Sequence, residues 1–165
     1  MRFILILIIC IPSFAFAGPM KKIGEKGKPS EVTRTITIKM YDNYYEPAEI
    51  NVKKDETIKF IVLNAGELVH EFNIATKEMH IKHQPEMMTM VENQILLPDR
   101  IDKTKMKNMA KKNPSMAHKH SNSVLLSPGE SAELIWKFSN TVDIEAACNV
   151  PGHYEVGMIA KIDNI

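Results

Sequence analysis

Cys148-Asn149-Val150-Pro151-Gly152-His153-Tyr154-Glu155-Val156-Gly157-Met158 decides how this chain is read. A thiol, an imidazole and a thioether follow one another on a single short stretch, in the pattern Cys-x4-His-x4-Met. Soft sulfur together with imidazole selects copper among the common biological metals, and one Cys with two His and a weak Met is a blue-copper donor set. The second His must come from elsewhere in the chain. His70, in Leu68-Val69-His70-Glu71-Phe72-Asn73-Ile74, is the best candidate.

The rest of the cysteine inventory supports the same reading. The chain has two Cys, at 10 and 148. Cys10 lies in an N-terminal segment with Arg2 at its start, an apolar run from Phe3 to Ile11 and Ala15-Phe16-Ala17 at its end. That is the form of a secretory signal peptide, 1–17, cut before Gly18. Cys148 is then the only thiol of an exported chain, in a compartment where thiols ordinarily pair. A bound metal gives it an occupation. A periplasmic location is expected, with a protein that is soluble after cleavage and monomeric. Without Arg2 the basic and acidic residues balance, so composition gives no support to nucleic-acid binding.

Residues 18–30 are polar with Gly and Pro and read as a flexible arm. Strand-like alternation follows within a single domain, 31–165. Ile36, Ile38 and Met40 share a face; Ile50 and Val52 form a short strand; Ile58, Phe60 and Val62 point one way, with Ile61 and Leu63 opposite, which suggests a strand covered on both sides. His70, Phe72 and Ile74 alternate next, then Leu134, Trp136 and Phe138, then Val142, Ile144, Ala146 and Cys148, then Met158, Ala160 and Ile162. Short strands joined by turn residues argue for an all-β sandwich with Greek-key links. Each candidate ligand on a strand has the parity of its apolar face, so the donors point inward at one end of the sandwich.

These residues resemble the cupredoxins, the family of plastocyanin, azurin and auracyanin, over about 32–76 and 122–165. The specific features are the Cys-x4-His-x4-Met pattern and the Pro-Gly before His153. The chain looks closest to auracyanin-like domains and to small periplasmic cupredoxins of copper tolerance. The resemblance implies an eight-stranded Greek-key sandwich and one type 1 copper. His70, Cys148 and His153 would lie in a plane, with Met158 axial. It also implies one-electron transfer. One position departs: plastocyanin and azurin carry Asn after the first ligand His, and here Glu71 stands there. A buried Glu71 carboxylate near the copper would lower its potential, and a solvent-facing one would do little.

An insert, 77–121, interrupts the strand rhythm. Between 79 and 120 there is no Gly, Cys or aromatic residue, and there are seven Met (79, 87, 88, 90, 106, 109, 116) and four His (80, 83, 118, 120). Lys103 to Lys112 reads as helical. Met87-Met88-Thr89-Met90 is expected to cluster thioethers, Met106 and Met109 to share a helix face, and Met116, His118 and His120 to line one side of an extended segment. Such donors favour Cu(I), which makes additional Cu(I) in the insert one expectation. Packing is the other, because Met fills irregular gaps.

Two functions compete. The first is a periplasmic type 1 copper protein of copper tolerance and homeostasis, with a redox-active copper, passing copper or electrons to a periplasmic partner. The second is a dedicated electron carrier whose insert only packs or docks. An enzyme is not expected. Four His remain beyond His70 and His153, too few for a trinuclear copper cluster, and one loop Cys is too few for a binuclear centre.

Overall fold

The computed structural model describes residues 22–139 and 142–165. The expected signal peptide, with Cys10, lies outside them. Among the described residues ten strands run in chain order: β1 Gly24–Lys26, β2 Arg34–Tyr41, β3 Tyr44–Glu46, β4 Glu49–Val52, β5 Thr57–Asn64, β6 His70–Ala75, β7 Ser123–Leu126, β8 Ser131–Phe138, β9 Glu145–Ala147 and β10 Ile159–Asn164. Between β6 and β7 lie helices α1, Lys77–Glu92, and α2, Lys103–Ala110.

The strands form two five-stranded sheets, β1-β8-β5-β2-β3 and β4-β10-β9-β6-β7. Parallel pairs, β2 with β5 and β4 with β10, sit among antiparallel neighbours. The alternating apolar residues meet between the sheets. Phe60 faces Phe72 of the other sheet at 5.4 Å between ring centroids and Phe138 of its own at 6.2 Å. All three are fully buried, each contributing about 1.5–3 kcal/mol by burial.

Three expectations change. The arm is not wholly free: Gly24–Lys26 pairs antiparallel with Trp136–Phe138 at the sheet edge. Gly24 makes this possible, with φ +134° and no room for a Cβ beside the Trp136 indole. Tyr44–Glu46 adds a further short strand at the opposite edge of the same sheet. These two edge strands help bring the count to ten rather than eight. β5 is not covered on both faces, because Ile61 is exposed. The strand buried on both faces is β6, with six buried residues in a row.

The insert covers the outer face of β6. Thr76 caps α1 by accepting from the Met79 N–H at 3.2 Å, and the helix runs on through Pro85. Asp102 caps α2 by accepting from the Lys105 N–H at 2.8 Å. α2 matches the expected helix but stops at Ala110. α1 is not evident from hydrophobic periodicity because its apolar residues lie on two faces. Met87 and Met90 point inward, while Ile81 and Met88 are exposed. Val69, Met87, Met90, Ile95, Leu96, Ile101 and Met116 form a second small core beneath the helices.

Candidate metal centre

The end of β6 and the loop between β9 and β10 bring three of the four expected donors, His70, Cys148 and His153, together. His70 opens β6, and Cys148 follows β9 directly. The loop folds back on itself: the Cys148 N–H donates to the Met158 carbonyl at 3.2 Å, and the Met158 N–H to the His153 carbonyl at 3.0 Å. The Cys148 sulfur lies 3.4 Å from His153 Nδ1 and 4.0 Å from His70 Nδ1. Metal–sulfur and metal–nitrogen bonds of about 2.3 and 2.05 Å in a trigonal plane would space sulfur and nitrogen roughly 3.8 Å apart, so both distances suit one shared ion. Met158 is fully buried in the main core, as its parity required.

Asp42 completes the site from another strand end. His70 Nε2 donates to Asp42 Oδ1 at 2.8 Å, which leaves Nδ1 as the lone-pair nitrogen facing Cys148. Asp42 is itself held by the N–H groups of Glu67 and Leu68. Gly66 is required by this contact: a Cβ there would lie 2.4 Å from Asp42 Oδ1 and 2.9 Å from His70 Nε2. Asn64 ties the same loop, donating to the carbonyls of Leu68 and Leu126. In the sequence Asp42 reads only as the start of a loop, since nothing local marks a partner 28 positions away.

Protonation fits a soft cation. Burial holds both His70 and His153 below the ordinary histidine range, with Asp42 opposing the shift at His70. Both imidazoles are therefore neutral with lone pairs available. Burial pushes the Cys148 thiol up to about 12, only partly offset by the Glu71 N–H that donates to its sulfur at 3.3 Å. A coordinated cation removes that proton outright.

Glu71 is fully buried, yet its carboxylate turns away from the Cys148 sulfur to the outer face of β6. Oε2 accepts from Asn149 N at 3.3 Å and Asn149 Nδ2 at 2.7 Å. Glu71 thus ties β6 to the loop carrying Cys148, the tying task the resemblance assigns to Asn. Burial would raise its pKa, but contacts with His118 and His83 hold it well below the carboxylate range.

The insert donors do not group as their spacing suggests. Met87 and Met90 are buried and Met88 is 45% exposed, because consecutive helical positions face different ways. Met116 sits in a 3-10 turn, Pro114–Ala117, and faces the second core, so it does not line up with His118 and His120. Met106 and Met109 both pack partly against that core, and Met79 is 42% exposed. His80 is buried and contacts Asn149 Oδ1 at 3.1 Å. His83, His118 and His120 converge on one another.

His153 is half-buried at the rim of an apolar depression lined by Leu68, Val91, Leu96, Leu97, Pro98, Val150 and Pro151. No helix among the described residues is long and apolar enough to cross a membrane.

Comparison with known proteins agrees with this fold. Residues 5–100 match the cupredoxin-like domain family. The copper-resistant cuproprotein CopI of Pseudomonas aeruginosa is 35% identical over 96% of this chain and 92% of its own length. CopI of Rubrivivax gelatinosus is 30% identical over 84% of this chain and 71% of its own. Among solved structures, auracyanin B aligns with a TM-score of 0.59 at 12% identity, over 86% of this chain and 96% of that one. Reduced auracyanin from Roseiflexus castenholzii aligns at 0.56 and 18%, over 81% and 98%. The chain belongs to the cupredoxin family, as a copper-binding member near the copper-resistance cuproproteins.

Proposed function

We propose that this chain is a periplasmic copper-tolerance protein. His70, Cys148 and His153, with Met158 beside them in the chain, would hold one type 1 copper. The observation that carries the reading is the convergence of His70 Nδ1, Cys148 Sγ and His153 Nδ1 in a pocket with Asp42 behind it. Bound there, copper supplies one-electron redox chemistry. The protein's own part is to keep both imidazoles neutral, hold the thiol out of water and fix the donors before the ion arrives. It needs no catalytic group of its own, and we do not assign it an enzyme activity.

For the insert thioethers the sequence leaves two expectations, additional Cu(I) and packing. With Met87, Met90 and Met116 in the packing, the exposed thioethers left for Cu(I) are Met79, which lines a depression with His83 and His120, and Met88. The alternative, a dedicated electron carrier, draws on the apolar depression around His153. A second depression, lined by Ile81, Met88 and Tyr154 among others, adjoins it through Pro151. Such a face suits docking of a redox partner.

Growth separates the two. A strain carrying Cys148→Ser is expected to be copper-sensitive and to grow like its parent without added copper. A growth defect independent of copper would favour the electron carrier.

A further inference from the structure

The four insert histidines part company, and three of them meet over Glu71. We propose that His83, His118 and His120, closed from beneath by Glu71, form a second copper site, for Cu(II), separate from the Cys148 centre. The inference rests on copper being this protein's cargo, the reading given above.

Three separate segments build the cluster: α1 supplies His83, the stretch before β7 supplies His118 and His120, and β6 supplies Glu71. The three rings lie 5.3, 5.1 and 4.9 Å apart, centroid to centroid. One donor atom from each falls within 4.8 Å of the others. His83 Nε2 and His118 Nε2 are 3.2 Å apart, and both face Glu71 Oε1, at 3.4 and 3.0 Å. Two bonds of about 2.0–2.1 Å at a tetrahedral angle place their donor atoms roughly 3.3 Å apart. All three separations match that figure, so His83, His118 and Glu71 can share one ion with little movement, and the His120 ring closes in from within 4.8 Å.

The surroundings resemble those of a built metal site. Asn149 occupies the other Glu71 oxygen. Glu86 engages His83 Nδ1 at 3.4 Å and His120 Nε2 at 3.1 Å, and carboxylates hold metal-binding imidazoles in this way. A small depression lined by Met79, His83, His120, Asn73, Ala75 and Asn122 leads in from solvent, and His120 is 35% exposed at its side chain.

The donors choose the ion. Imidazole suits copper and zinc, and Cu(II) binds more tightly than Zn(II) at such sites. A buried carboxylate adds a hard anionic ligand that favours Cu(II) over Cu(I). The thioethers that would favour Cu(I) are mostly spent in the second core. Glu71 also joins the two centres, since its N–H donates to the Cys148 sulfur while its side chain closes the histidine cluster.

The test is Cu(II) loading of the full mature protein, followed by dialysis, metal counting and visible and paramagnetic spectra. The expected result is two copper ions per chain, only one of them with the thiolate band. His118→Gln/His120→Asn should keep the blue band and hold one copper. His120→Asn alone, at a partly exposed ring, should fold normally and bind the second ion at least tenfold more weakly. A blue wild type with one copper would overturn the site, as would a second copper that persists in the double variant. A colourless protein that loses a copper in the double variant would sink the type 1 reading and leave the histidine site standing.

Discussion

Glu71 and Cys148 are joined through the backbone: the Glu71 N–H donates to the Cys148 sulfur at 3.3 Å, while the Glu71 carboxylate lies on the opposite face of the strand. The thiolate therefore receives a donor from a residue whose own charge is already paired with histidines and Asn149. Of the two placements considered for Glu71, buried near the copper or facing solvent, only the burial is met. The carboxylate is turned toward the insert.

Asp42 and Gly66 are predicted to act as one unit. Asp42→Ala removes the acceptor that fixes the His70 ring, and Gly66→Ala drives a methyl group into the same contact. Each should weaken copper binding by about 10–100-fold in protein that is still folded by circular dichroism, with some loss of stability from the loop contacts that Asp42 makes. Copper competition with a chromophoric chelator measures this. Unchanged affinity in both variants would remove Asp42 from the account.

Met158→Leu should keep the copper and raise its reduction potential. The axial thioether bond is weak, and its donation favours the oxidised ion. Redox titration of the blue band checks the direction. Complete copper loss would contradict an axial role.

Met87 and Met90 are predicted to act through packing alone. Replacing either with Leu conserves volume and should cost less than about 1.5 kcal/mol, with copper stoichiometry unchanged. Met87→Ala should cost about 2–5 kcal/mol in denaturant unfolding. A copper ion lost in either Leu variant would return these thioethers to metal binding.

The sandwich, the meeting of His70, Cys148 and His153 and the inward placement of Met158 are legible in the sequence because strand parity and loop spacing are local properties. Ile144, Ala146 and Cys148 lie inward for the same reason of period two. What is not legible depends on distant partners. Asp42 meets His70 across 28 positions, and Glu71 meets His118 only because the insert folds over β6. α1 is hidden by Pro85 and by apolar residues on two of its faces. The spacing of Met116, His118 and His120 suggests one row of donors, but a 3-10 turn sends Met116 into the second core.

The central claim is that Cys148 is the thiolate of a type 1 copper centre, and the visible spectrum of the copper-loaded protein tests it most directly. Wild type should show an intense thiolate-to-copper charge-transfer band, and Cys148→Ser, loaded in the same way, should show none. Colour that survives the substitution would contradict the assignment, because Cys148 is the only cysteine beyond the N-terminal segment.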